Sequence, residues 1–99
     1  MTRTKKDRRG EAEERNRLYK IRSTLRKELT TLEEQITGLE EQRKTNETLL
    51  CEPETLRNPA RTKALSQELK TIAAQLERMY PRWDELVKRL AEAGTDEIR

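Results

Sequence analysis

The sequence predicts an all-α fold: a two-helix antiparallel coiled-coil hairpin preceded by a disordered basic N-terminal arm. Three observations carry this. The 99 residues are 31% hydrophobic and 41% charged, against roughly 45–50% apolar and about 25% charged in globular domains, so only a narrow apolar seam can be buried. Apolar residues recur in alternating steps of four and three, the spacing of a coiled-coil seam, in two separate stretches. Between those stretches lies a segment holding two of the three prolines.

Taken in order, the first ten residues, MTRTKKDRRG, contain no apolar side chain beyond Met1. They read as a flexible arm or linker reaching to about residue 14, with the hairpin over 15–93. Helix 1 is expected from about Glu11 to Leu50. Its seam is Leu25, Leu29, Leu32, Ile36 and Leu39, with Leu18 one heptad before Leu25. Arg22 and Arg43 also fall on the extrapolated seam, where long side chains can lay their methylenes along it and keep the charge in water. Gly38 costs helix 1 about 1 kcal/mol relative to Ala.

The loop, about residues 51–58, contains Pro53, which cannot continue helix 1. Asn58-Pro59 then reads as an N-cap followed by proline at the first helical position, where its missing N–H does no harm. Helix 2 follows from about Pro59 to Ala93. Leu65, Leu69, Ile72, Leu76, Met79, Trp83, Leu86 and Leu90 keep the four-three rhythm without a miss. Gly94 is a C-terminal cap, and 94–99 form a tail. Pro81 interrupts this helix between Tyr80 and Trp83, at a cost of about 3 kcal/mol if uncompensated. It reads as a tolerated bend, with a functional hinge as the alternative. Pairs such as Glu13 with Arg17, Glu40 with Lys44 and Glu85 with Arg89 each return a few tenths of a kcal/mol.

Folding the seams back on each other suggests a register. Leu39 would face Leu69, Ile36 Ile72, Leu32 Leu76, Leu29 Met79, Leu25 Trp83 and Leu18 Leu90, with Ile21 meeting Val87 at the flank. The reversal would then centre on Glu54, inside the proline loop. The alternative is that both helices pair with another chain rather than with each other.

Charge is unevenly spread. Residues 1–27 hold eleven basic side chains against four acidic ones, a net of +7, while the other 72 residues carry a net of −4. Arg3, Lys5, Lys6, Arg8, Arg9, Arg15, Arg17, Lys20, Arg22, Arg26 and Lys27 are expected to meet Arg82, Lys88 and Arg89 at the open end of the hairpin. Such a cluster suits a phosphate backbone, bound by counterion release with little sequence information. Tyr19 is the only aromatic among the N-terminal basic residues, so a stacking platform for bases is not expected. The alternatives are a solvated basic tail that only links, or a protein-interaction or spacer coiled coil that ignores nucleic acid. An anionic membrane surface fits less well, because the apolar faces are spent on the hairpin.

Other classes are excluded more directly. The longest apolar runs are pairs such as Leu49-Leu50, well short of the roughly 20 residues of a membrane span, so a cytoplasmic chain is expected. With one cysteine and no histidine, neither an internal disulfide nor a zinc cluster is available. No general base, Gly-rich phosphate loop or activated nucleophile is present, and the neighbouring Glu52 and Glu54 make Cys51 a poor one. No catalysis, metal or cofactor is expected of this chain, and the hairpin should be monomeric.

The runs LEEQITGLE, ETLLCEPETLRNP and LSQELKTIAAQLERMYPRWDEL together resemble the C-terminal coiled-coil domain of the ABC-F ATPases, the Uup type in particular. That family's loop of the form L-x-D/E-P-E is matched by Leu50, Glu52, Pro53 and Glu54. Its L-Y-x-x-W-E-E-L ending is matched by Met79, Tyr80, Trp83, Asp84, Glu85 and Leu86. Its basic linker and Tyr-Lys step look like KKDRR followed by Leu18, Tyr19 and Lys20. The likeness covers about residues 15 to 90 and departs at Pro81 and at Leu56, where a helix former and an aromatic are usual. It implies a domain that ends a soluble protein with two ATP-binding cassettes, acting on ribosomes or in DNA-linked processes, with DNA binding associated with the C-terminal domain. Any ATPase activity would then belong to cassettes preceding residue 1, and the stop soon after Gly94 fits a natural C-terminus.

Overall fold

The computed structural model describes residues 5–94. It contains three helices: α1 (Lys5–Leu50), α2 (Pro53–Leu56) and α3 (Pro59–Glu92). The two long helices pack side by side as an extended hairpin. The molecule measures 80 × 20 × 14 Å, and its radius of gyration of 22.7 Å far exceeds the ~13 Å of a compact chain of this length. It is a rod.

The core is a single row. Leu25, Leu32 and Ile36 from α1 cluster with Ile72, Leu76 and Leu86 from α3, and Leu29, Leu39, Met79, Trp83 and Leu90 pack against them. Leu76 and Leu86 are the most deeply buried side chains. These are the seam residues that periodicity singles out, so both helices present the expected faces.

Helix ends follow the local chemistry. The Asn58 side chain accepts a hydrogen bond from the Arg61 N–H at 3.1 Å, with Pro59 next in line. At the other end, the Ala93 N–H donates to the Arg89 carbonyl, and Gly94 takes φ +76°, the left-handed conformation that ends helices. α3 runs unbroken through Pro81. The proline is on the exposed face, where water can reach the Glu77 carbonyl that lost its donor.

Three features differ from the sequence-based expectation. α1 begins at Lys5 rather than near Glu11. Of the arm expected over 1–14, residues 1–4 lie outside the described residues, and 5–14 continue the helix. Lys, Arg, Glu and Ala are good helix formers, and an established helix extends at low cost once nucleated. Within the loop, Pro53–Leu56 form a helical turn of their own.

The third difference is the register. Arg22 reaches the Ala93 and Gly94 carbonyls, Arg82 reaches Glu28, Trp83 reaches Glu33 and Tyr80 reaches Glu40. Together these set Leu76 about level with Leu39, Met79 with Ile36, Trp83 with Leu32 and Leu86 with Leu29, one heptad from the expected pairing. Ile21 and Val87, expected to meet, are both exposed, at 37% and 36%. The cause is the turn α2. Thr55 is buried, its carbonyl accepts from the Thr62 hydroxyl at 2.8 Å and the Asn58 N–H at 2.9 Å, and α2 thereby packs on the start of α3. The chain reverses at Arg57-Asn58 instead of Glu54, and α3 slides toward the loop by one heptad.

The register makes a stability prediction. Leu86→Ala should cost about 2–5 kcal/mol, the range for a truncated buried leucine. Leu18→Ala should cost under about 1 kcal/mol, because Leu18 lies past the end of α3 rather than against Leu90. Urea unfolding followed by circular dichroism separates the two, and equal large losses would restore the sequence-based register.

Candidate nucleic-acid interface

The register determines which basic residues share a site. Among the described residues, α3 ends at Glu92, and its C-terminal carbonyls lie beside Arg22. The part of α1 before Arg22, Lys5–Ile21, therefore has no α3 residue alongside. At 1.5 Å per residue it runs about 26 Å beyond α3 as a single helix among the described residues.

Seven of the expected site residues, Lys5, Lys6, Arg8, Arg9, Arg15, Arg17 and Lys20, are on this projecting segment, and all are exposed. Arg26 and Lys27 follow at the junction with the hairpin, where Lys88 and Arg89 of α3 also lie. Arg3 is outside the described residues. Arg82 stands further along the rod.

Several of these cations already have protein partners. Arg17 holds Glu14 through two hydrogen bonds of 2.7 and 2.8 Å. That pairing lowers the Glu14 carboxyl below its usual range and raises the Arg17 guanidinium. Arg82 pairs with Glu28 at 3.1 Å and Arg89 with Glu85 at 3.5 Å. Exposed pairs of this kind are worth little and exchange readily for a phosphate. Arg22 differs: half-buried at the seam, it donates to the Gly94 carbonyl at 2.6 Å and the Ala93 carbonyl at 3.4 Å. Here it joins the two helices, placing a cation on the orphan carbonyls at the negative end of the α3 dipole.

The rest of the rod has the opposite character. Beside the Trp83 and Tyr80 rings, the indole N–H donates to Glu33 at 2.9 Å and the Tyr80 hydroxyl donates to Glu40. The hydrogen bond to Glu40 pushes the Tyr80 phenol above its usual range, with partial desolvation and the Glu40 charge adding and Arg43 opposing. Sequence reasoning missed two seam features. Arg22 as a cap needed the register to be known. Asn46 sits one heptad after Leu39, buried at 7% exposure with its Nδ2 lacking a hydrogen-bond partner in the described structure. A single polar residue on a seam disfavours shifted pairings at a cost in stability, and its spacing from Leu39 was the signal available.

A long antiparallel hairpin with a charged helical extension defines a rod-like helical domain. The family model for the ABC transporter C-terminal domain matches residues 20–88, and the chain belongs to that family. It matches no curated protein and no solved structure. The matched span is the hairpin, while most of the projecting basic segment precedes it. No helix among the described residues is long and apolar enough to cross a membrane.

The aromatic–carboxylate contact is testable by titration. Tyr80 should ionise above the usual tyrosine range, and Glu40→Gln should bring it back down. The raised folded-state value means that this contact's stabilisation is present below the unfolded tyrosine pKa near 10 and is lost as pH rises through the folded value. Ultraviolet difference spectra of a Tyr19→Phe background, with and without Glu40→Gln, read the change at Tyr80.

Proposed function

We propose that this chain is the C-terminal accessory domain of an ABC-F protein of the Uup type, that it binds nucleic acid, and that it performs no catalysis and takes no cofactor of its own. The family membership supports an appended domain of an ABC protein. The Leu50–Glu54 loop and the Tyr80–Trp83 ending support the Uup type, whose soluble, cytoplasmic parent would supply the ATP-binding cassettes and any hydrolysis.

One observation carries nucleic-acid binding: the projecting helix Lys5–Ile21, whose exposed basic residues outnumber its carboxylates by seven to four while the charges of the hairpin balance. A stiff cationic rod gains affinity by releasing counterions from a phosphate backbone. Its target would be DNA, or ribosomal RNA if the parent acts on the ribosome.

Fluorescence anisotropy against duplex DNA, single-stranded DNA and ribosomal RNA fragments at several salt concentrations tests the proposal. Binding should weaken steeply with salt. Changing Arg8, Arg9, Arg15 and Lys20 together to Ala should reduce the log–log salt slope by about three to four, close to one per lost phosphate contact. Salt-insensitive binding, or none at low salt, would overturn the proposal and leave a protein-interaction or spacer coiled coil.

A further inference from the structure

Resting on the reading above, we infer that the projecting helix of α1 lies in the major groove of B-form duplex DNA, with the face that carries Arg9, Asn16 and Lys20, and continues to Lys27 at the junction with the hairpin, turned toward the bases.

Residues three, four or seven apart share a helix face, and this spacing sorts the segment into rows. Arg9, Asn16, Lys20 and Lys27, at intervals of seven, four and seven, form the row opposite the seam, and all four are exposed. Lys5 flanks this row on one side and Lys6 and Arg17 on the other, while Arg8 and Arg15, fourteen and seven residues before Arg22, fall toward the seam. Asp7, Glu11 and Glu14 fall on the side that continues the seam toward Leu18 and Leu25, leaving Glu13 as the one carboxylate of the segment on the outer side.

That distribution matches a groove rather than a flat surface. A helix in a groove meets phosphates on both walls and base edges at the floor. Here Lys5 stands on one flank and Lys6 and Arg17 on the other, with Arg, Asn and Lys on the face between them, and most carboxylates point away. Arg and Lys suit guanine and Asn suits adenine in the major groove. Because α3 packs on the seam side, a duplex seated on the opposite face does not collide with the hairpin.

Size selects the nucleic acid. A helix with its side chains is about 10–12 Å across and the B-DNA major groove is about 12 Å wide, so one enters the other. The major groove of A-form RNA is deep and narrow and does not admit a helix. A basic helix continuous with a coiled coil is also how dimeric zipper proteins enter the major groove. The antiparallel hairpin presents one such helix instead of two.

The test separates a rigid helix from a flexible polycation of the same charge. Ala12→Pro breaks the projecting helix, and Gly10→Ala stiffens it at a position where a methyl group meets nothing within 4 Å. Neither changes the charge, and both sites lie beyond the hairpin, so thermal unfolding monitored at Trp83 should be unaltered. On a mixed-sequence DNA duplex, Ala12→Pro should weaken binding by about tenfold or more and Gly10→Ala should tighten it. An RNA duplex of the same sequence should bind more weakly than DNA and respond less to either change. Dimethyl sulfate footprinting should show protection of guanine N7 in the major groove and none of adenine N3 in the minor groove. Equal affinity for both duplexes, indifference to Ala12→Pro or minor-groove protection would overturn groove docking while leaving nucleic-acid binding intact. No binding to any nucleic acid would remove both.

Discussion

A chain this poor in apolar side chains has one seam to bury, and the register of that seam decides everything outside it. Leu76 and Leu86 are the deepest points of the core, and no second layer corrects a slip. The register is set at both ends of α3. At the loop, the turn Pro53–Leu56 packs on the start of α3 through buried Thr55. At the open end, Arg22 closes on the Ala93 and Gly94 carbonyls. Between them Asn46, a single buried amide on the seam, disfavours shifted pairings at a cost in stability.

The projecting helix is a consequence of that register. Had the chain reversed at Glu54, α3 would run further along α1, and Leu18 would be a core residue. Reversal at Arg57-Asn58 moves α3 toward the loop and leaves Lys5–Ile21 bare among the described residues. The segment freed is the one with the densest positive charge, while the paired segment carries the carboxylates that hold Trp83, Tyr80 and Arg82. The hairpin thus acts as a mount and the extension as the binding element. The family match follows the same division, beginning at Lys20 and ending at Lys88.

Much of this was legible in the sequence. The four-three spacing identified the faces of both helices, Asn58-Pro59 marked the start of α3 to the residue, and Gly94 marked its end, because each signal is local and has a single physical meaning. The register was not legible, since two heptad repeats align equally well at steps of seven. What broke the tie was tertiary: a four-residue turn too short to show periodicity, and an arginine whose acceptors are backbone carbonyls 71 and 72 residues away. The basic segment was legible by charge but not by conformation. Its composition suits a disordered arm, yet the same residues propagate a helix that is already nucleated.

The central claim is the register, and Trp83 reports on it directly. In this structure the single tryptophan lines a groove with Glu33, Ile36, Thr37 and Tyr80, whereas the sequence-based register would seat it on Leu25. Isotope-edited NOE spectra of the methyl-labelled protein, read from the indole protons, distinguish the two. Cross-peaks from Trp83 to the Ile36 methyls and none to those of Leu25 are expected. Cross-peaks to Leu25 without Ile36 would contradict the register, and with it the extension of α1 past α3 on which the functional reading stands.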